Sequence, residues 1–289
     1  MNVSYVFPNI SKLNYEGRGG LNERWNYALR YSCDFIEVPC DFIKNKTEMK
    51  LTGLDMCSIP DQLAIERIYK KDYSSNNCIK YILHTEPMLH RMDISNKSHK
   101  AKLKWYDDIW TDKFITMIFS VIDLFKETPF AIEIHPGDRN NTYGNLYYAA
   151  VKILTKVYER YNYKPLILVE NRTGQFISTC KEVSEFINLV SKQSSDLTKN
   201  INFVLDIFQL YTSTKDTFEK DLNLIPFEII KAYHVHTYHK APDINDALPW
   251  KSVFQRIKLN CDQVIINPEV FHEKHVRTTI DFCKEMMKK

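Results

Sequence analysis

Apolar positions in this chain fall into short unbroken runs, and most of these runs end on an acid or a histidine. Six show it: Tyr81-Ile82-Leu83-His84, Phe130 to His135, Leu166-Ile167-Leu168-Val169-Glu170, Phe203-Val204-Leu205-Asp206, Ala232-Tyr233-His234-Val235-His236, and Val264-Ile265-Ile266-Asn267-Pro268-Glu269. The runs lack the period-2 alternation of half-exposed strands. They read as strands buried on both faces, which means a parallel sheet covered by helices.

Between the runs lie stretches with helical spacing. The predicted order is Val3–Phe7, a helix over Leu21–Tyr31, Asp34–Val38, a helix near Pro60–Lys70 and Ile79–His84. A long helix follows over Tyr106–Lys126, with Trp110, Phe114, Met117, Ile118 and Val121 at helical spacing. Then come Phe130–His135, the helix Tyr143–Tyr161, Leu166–Glu170, the helix Lys181–Ser191 and Ile201–Asp206. After an irregular segment through Pro226 come Ile229–His236, a helix at Trp250–Lys258, Val264–Ile266 and a closing helix His272–Met287.

Eight strand–helix units predict an α/β fold, a (β/α)8 TIM barrel formed as one domain over residues 1–289. An open doubly wound sheet is the alternative. Its dinucleotide-binding form has little support, because no G-x-G-x-x-G follows the first strand. Two long loops stand out, Cys40–Ile59 and Glu86–Trp105; at the carboxyl end of a barrel, long loops usually carry function.

Composition narrows the picture only a little. The 289 residues carry a net charge of +3, far short of a dedicated nucleic-acid binder. Seven scattered cysteines form no C-x-x-C pair. Reduced thiols and a cytoplasmic location are the expectation. No run approaches the roughly 20 apolar residues of a membrane span.

In a parallel barrel the carboxyl ends of the strands face the ligand. His84, His135, Glu170, Asp206, His234 or His236, and Glu269 would therefore gather at one mouth. Several converging carboxylates repel one another unless protons, Arg/Lys or a cation compensates them. Imidazoles with carboxylates suit Zn, Mn or Fe. One or two divalent ions are predicted, Zn or Mn first. Glu133 shares a face with His135, one layer deeper, as an orienting partner or a buried ion-pair member. Glu37 reads as a substrate contact or an ion-pair residue. Arg172 and Lys240 lie beyond strand ends, as anion contacts or as plain surface cations. The basic and aromatic stretch Asn96–Tyr106 reads as a nucleic-acid contact or, more simply, as the solvated start of the next helix.

The local strings resemble the xylose isomerase-like TIM barrels, and among them the endonuclease IV-like branch (AP endonuclease family 2). Leu83-His84-Thr85-Glu86-Pro87 is similar to the end of strand three in that branch. Ile134-His135-Pro136-Gly137 is similar to its His-Pro-Gly, and Glu170-Asn171-Arg172-Thr173-Gly174-Gln175 to its Glu-Asn-Thr-Ala-Gly-Gln. Leu205-Asp206-Ile207-Phe208-Gln209 falls where the family has Asp-Thr-x-His. The resemblance covers the chain in order.

It implies His84, His135 and Glu170 as ligands of a first metal. Glu170, Asp206, a strand-seven histidine and Glu269 would hold a second, with Glu170 bridging. Asn267 is the other register for the last ligand. A third ion would need a histidine where Gln209 stands and an Asp-x-His where the chain reads Asn245-Asp246-Ala247, so the resemblance stops at one or two. Glu170 and Glu269 are the expected catalytic residues, and Glu37, Arg172, Gln209 and Lys240 the expected substrate contacts.

Three functions compete. One is phosphodiester or phosphate-ester hydrolysis, which the strings favour. Another is sugar isomerisation or epimerisation by metal-assisted proton transfer. The third is a non-catalytic ligand-binding barrel. The expected partner is a small phosphorylated or sugar substrate, or weakly bound DNA; no membrane is expected.

Overall fold

The computed structural model describes residues 2–10, 21–39, 79–85, 89–92, 98–193, 196, 198–260 and 263–288. The helix expected near Pro60–Lys70 and the loop Cys40–Ile59 lie outside these residues.

Eight parallel strands close into a barrel. They are β1 (Asn2–Phe7), β2 (Phe35–Pro39), β3 (Lys80–His84), β6 (Ala131–Ile134), β7 (Leu166–Glu170), β8 (Ile201–Asp206), β9 (Ile230–His234) and β10 (Gln263–Asn267). β1 pairs with both β2 and β10, which completes the closure. Helices connect them: α1 (Leu21–Tyr31), α2 (Asp108–Phe125), α3 (Tyr143–Tyr161), α4 (Cys180–Ser191), α5 (Ile207–Thr214), α6 (Phe218–Leu222), α7 (Trp250–Ile257) and α8 (Glu273–Lys288). The expected (β/α)8 barrel is the fold observed. No helix among the described residues is long and apolar enough to cross a membrane. Cys33, Cys180 and Cys283 are buried free thiols.

The continuous apolar runs serve two surfaces at once. Alternate residues face outward and pack with the helices in one large cluster, which includes Leu83, Ile132, Ile134, Ile167 and Val169 from the strands and Phe114, Ile118, Ile153 and Leu154 from α2 and α3. The other residues face the barrel axis. Val6, Phe35, Ile82, Ala131, Leu168, Val204, Ala232 and Ile265 form a separate cluster with one member from each strand. That layer plugs the barrel.

Two segments differ from the sequence reading. The stretch after β8, expected to be irregular, is α5 followed by α6. Its β-branched and aromatic residues are weak helix formers. The Asp206 side chain starts α5 by accepting the Gln209 N–H at 2.9 Å. The basic stretch is not the start of a helix: Ser98–Ala101 is a strand (β5) paired antiparallel with β4 (Leu89–Met92), and α2 begins only at Asp108, capped by Asp107. Pairing across the barrel mouth, invisible to helical periodicity, decided it.

Candidate metal centre

Two residues beyond the apolar plug, the pleat brings the next inward side chain of each strand to the axis. Seven of the eight strands now carry a polar group: Glu37, His84, Glu133, Glu170, Asp206, His234 and Asn267, all buried. One more step along the chain adds His135, His236 and Glu269 above them. The two layers form one continuous network of imidazoles and carboxylates.

Its first part centres on His84. The Nδ1 atom of His84 lies 2.5 Å from Glu37 Oε1, so the ionised Glu37 carboxylate faces that nitrogen. The Nε2 atom is thereby turned to His135 Nε2 at 3.2 Å and Glu170 Oε2 at 3.5 Å, and His135 Nε2 lies 3.4 Å from the same oxygen. Donors about 2.0–2.1 Å from a tetrahedral zinc ion stand about 3.3–3.4 Å from one another. The three observed edges, 3.2, 3.5 and 3.4 Å, are about that length.

The second part uses the other oxygen of Glu170. Glu170 Oε1 is 3.6 Å from His234 Nδ1, which lies 3.4 Å from Glu269 Oε2. That oxygen is 3.2 Å from His236 Nε2, itself 3.4 Å from Asp206 Oδ2. Both strand-seven histidines therefore reach the site, but they are held differently. His234 turns Nε2 to Glu133 Oε1 at 3.2 Å, the arrangement in which a carboxylate orients an imidazole for its other nitrogen to ligate. His236 accepts the His239 backbone N–H on Nδ1 at 3.1 Å. A neutral His236 so held carries its proton on Nε2 and donates it to Asp206 Oδ2.

The donor set fits a divalent ion on a further count. Ion-pair contacts with the neighbouring imidazoles apart, both oxygens of Glu170, Glu269 Oε2, Glu133 Oε1, His135 Nδ1 and His234 Nδ1 are buried without a hydrogen bond among the described residues. Groups left this way are costly unless a proton or an ion satisfies them. His84-His135-Glu170 and Asp206-His234-Glu269 each place donor atoms within 4.8 Å of one another.

In the metal-free chain, protons provide the compensation. Burial works against charging His84 and His234, yet Glu133 with Glu37 and Glu170 holds His84, and Glu133 with Glu170 holds His234, well above their ordinary value. His236 is raised to about 9: burial opposes this, and Asp206 and Glu269 outweigh it. Glu170 and Glu269 are held well below the usual carboxylate range by these imidazoles in spite of burial. Glu133 goes the other way, to about 7, because burial dominates. His135 falls to about 3 through burial, with the charges of His84 and Arg172 adding to it.

The remaining motif residues hold loops. Asn171 clamps β7 to β8 with both ends of its amide, donating to the Asp206 carbonyl and accepting the Asp206 N–H. Gln175 accepts the Gly137 N–H at 2.7 Å. Gly137 has φ +82°, and a Cβ there would lie 2.6 Å from the Asn141 side chain; only glycine fits the His-Pro-Gly turn. Gln209 accepts the Thr173 N–H at 3.3 Å. Asp206 uses Oδ1 as the α5 cap, which leaves Oδ2 for His236. Arg172 is half-buried beside His135, and Lys240 is exposed at the rim. Asn267 Nδ2 lies 3.4 Å from His234 Nε2. His239 had no usable spacing in the sequence; the structure stacks it on His236 and puts its Nδ1 3.2 Å from the Glu269 carbonyl.

No protein-family model matches the sequence, and no curated protein matches it. Solved structures match its fold. An AP endonuclease, family 2, from Brucella melitensis superposes at TM-score 0.60, with 10% identity over 98% of each chain. D-psicose 3-epimerase from Clostridium cellulolyticum H10 gives 0.57, with 12% identity over 99% of each. A xylose isomerase domain protein from Alicyclobacillus acidocaldarius gives 0.56, with 10% identity over 99% of this chain and 98% of that one. The structural neighbours are thus xylose isomerase-like TIM barrels, and at these identities the likeness is one of fold.

Proposed function

We propose that this chain is a divalent-metal-dependent hydrolase of a small phosphate ester, with one or two ions, Zn or Mn, at the barrel mouth. The supporting observation is the division of Glu170: Oε2 faces His84 and His135, while Oε1 faces His234 and the Asp206–Glu269 group. A carboxylate placed between two donor groups suits a pair of ions. Ions so held lower the pKa of water and neutralise charge on a phosphoryl oxygen.

The chain's own groups supply the rest. Glu37 and Glu133 orient His84 and His234. Glu269 has the most exposed carboxylate of the set, with 18% of its side chain accessible, so it is placed to take or return a proton. Arg172 and Lys240 are the cations available for the ester's anionic group. The plug below and the buried walls keep bulk water out of the deeper layer.

Metal analysis of the purified protein, with turnover of bis(p-nitrophenyl) phosphate, tests this reading. Activity should vanish with chelation, return with Zn or Mn, and be lost in Glu170→Ala. Turnover that ignores either treatment would sink it.

Sugar isomerisation or epimerisation is the second reading. Its support is the self-sufficient group of Glu170, Asp206, His234 or His236, and Glu269, together with solved neighbours described as sugar epimerases. One ion per chain would favour it, two the hydrolase, and none a barrel that only binds a ligand.

A further inference from the structure

The turn that follows β9 is strained. Thr237 and Lys240 exchange backbone hydrogen bonds at 3.0 and 2.9 Å around two central residues, Tyr238 and His239. Both central residues have positive φ, 49° and 54°. This is the two-residue turn for which Asn-Gly is the preferred sequence, since side chains with a Cβ resist the left-handed region.

The strain at His239 is offset inside the fold. Its N–H goes to His236, its carbonyl accepts the Phe271 N–H at 2.9 Å, and its ring stacks between His236 and Phe271. Among the described residues nothing comparable holds Tyr238. Its side chain makes one ring contact, with Phe208 at 4.5 Å, and the residue is 72% exposed. Asparagine or glycine would satisfy the backbone better. Phe208 in turn lies 5.4 Å from His236. The tyrosine ring therefore stands one aromatic layer from the metal centre, next to the exposed Lys240.

We propose that Tyr238 is a substrate-contacting residue whose exposed ring takes the flat face of an aromatic ring on the ester, as in a mononucleotide. The inference rests on the hydrolase reading and names its substrate class. Strained backbone held in place without a fold-level return is characteristic of ligand contacts. An aromatic face in the same turn as a cation, Lys240, complements a ligand that brings both an anion and a π face. A bare sugar brings neither.

The test compares AMP with ribose 5-phosphate on the metal-loaded protein by calorimetry. The two differ only in the base. AMP should bind on the order of 10-fold more tightly. Tyr238→Gly should bring that ratio to about one while raising Tm by about 2 °C or more, because glycine relieves the turn. Tyr238→Phe should keep the ratio, and Tyr238→Asn should lose it with the fold intact. Opposite movement of stability and selectivity separates a ligand contact from a structural one. Equal binding of the two probes, binding of neither, or a preference that survives Tyr238→Gly overturns the proposal. Metal-dependent turnover of bis(p-nitrophenyl) phosphate judges the hydrolase reading separately.

Discussion

Two adjacent layers inside the barrel differ by one pleat step and have opposite chemistry. The lower contains Phe35, Ile82, Ala131, Leu168, Val204, Ala232 and Ile265. Two residues on, the same strands present Glu37, His84, Glu133, Glu170, Asp206, His234 and Asn267. Backbone geometry, burial and neighbours are nearly the same. The lower layer is stable by itself, since apolar groups need only close packing. The upper layer is held together only by mutual compensation of charge, by protons or by an ion. Stability thus belongs to one layer and chemistry to the next, and each can be attacked without the other.

The largest effect expected is from Glu170→Ala. It removes the side chain that turns a different oxygen to each donor group, and metal affinity should fall by more than about 100-fold, beyond the range of orienting residues. Competition titration with a chelator measures it; unchanged affinity would remove Glu170 from the site. The matching change below, Leu168→Ala, should cost about 2–5 kcal/mol of stability in denaturant unfolding. Metal affinity of the folded fraction should move little. If both variants lose metal equally, the layers are not separable.

Glu37→Gln and Glu133→Gln should each weaken metal binding by about 10–100-fold, since they orient His84 and His234. His234→Ala should lower metal content and His236→Ala chiefly alter activity, in keeping with the proton that His236 Nε2 carries; the reverse pattern would exchange their roles.

The pH dependence of the metal-free protein follows from the imidazoles. His236 rises from its ordinary 6.5 to about 9, so its contribution is complete below pH 6.5 and disappears as pH climbs through 9. His135 falls to about 3; its neutral form contributes above pH 6.5, and that contribution is lost as pH drops toward 3. Metal-free Tm should peak near neutral pH and decline toward pH 9.5. Saturating metal, which takes the place of the protons, should abolish the alkaline decline. A flat metal-free profile between pH 6.5 and 9.5 contradicts the proton-compensated network.

The smallest effect concerns DNA. Lys102, in the basic stretch, and Arg139, which follows the His-Pro-Gly turn, are exposed and already paired with Asp138 and Glu182 at 3.3 Å. Duplex binding should be weak, with a log–log salt slope shallower than about −3, at about −0.9 per phosphate neutralised. A steep slope would show a basic surface that these pairs do not provide.

The barrel was legible in the sequence because a strand buried on both faces must be apolar almost throughout. Any acid or imidazole at its end then stands out against that background. His84, His135, Glu170, Asp206 and Glu269 were found this way, and strand order alone put them at one mouth. Sequence could not say which atoms meet. That Glu37 serves His84, that Glu133 lies between His84 and His234, and that Glu170 divides its oxygens between two groups all depend on stagger between strands far apart in the chain. His239 and Tyr238 were hidden for a related reason. They sit in a turn without periodicity, and only backbone pairing with the Phe271 segment and packing on Phe208 give them a place. The hairpin of β4 and β5 and the helix α5 also arise from tertiary contacts that override weak local preference. The sequence by itself determined which residues are buried and at which strand ends the polar ones stand, since burial leaves a periodic mark. Distance and orientation between strands leave none, so only the closed barrel decided which of those residues come together.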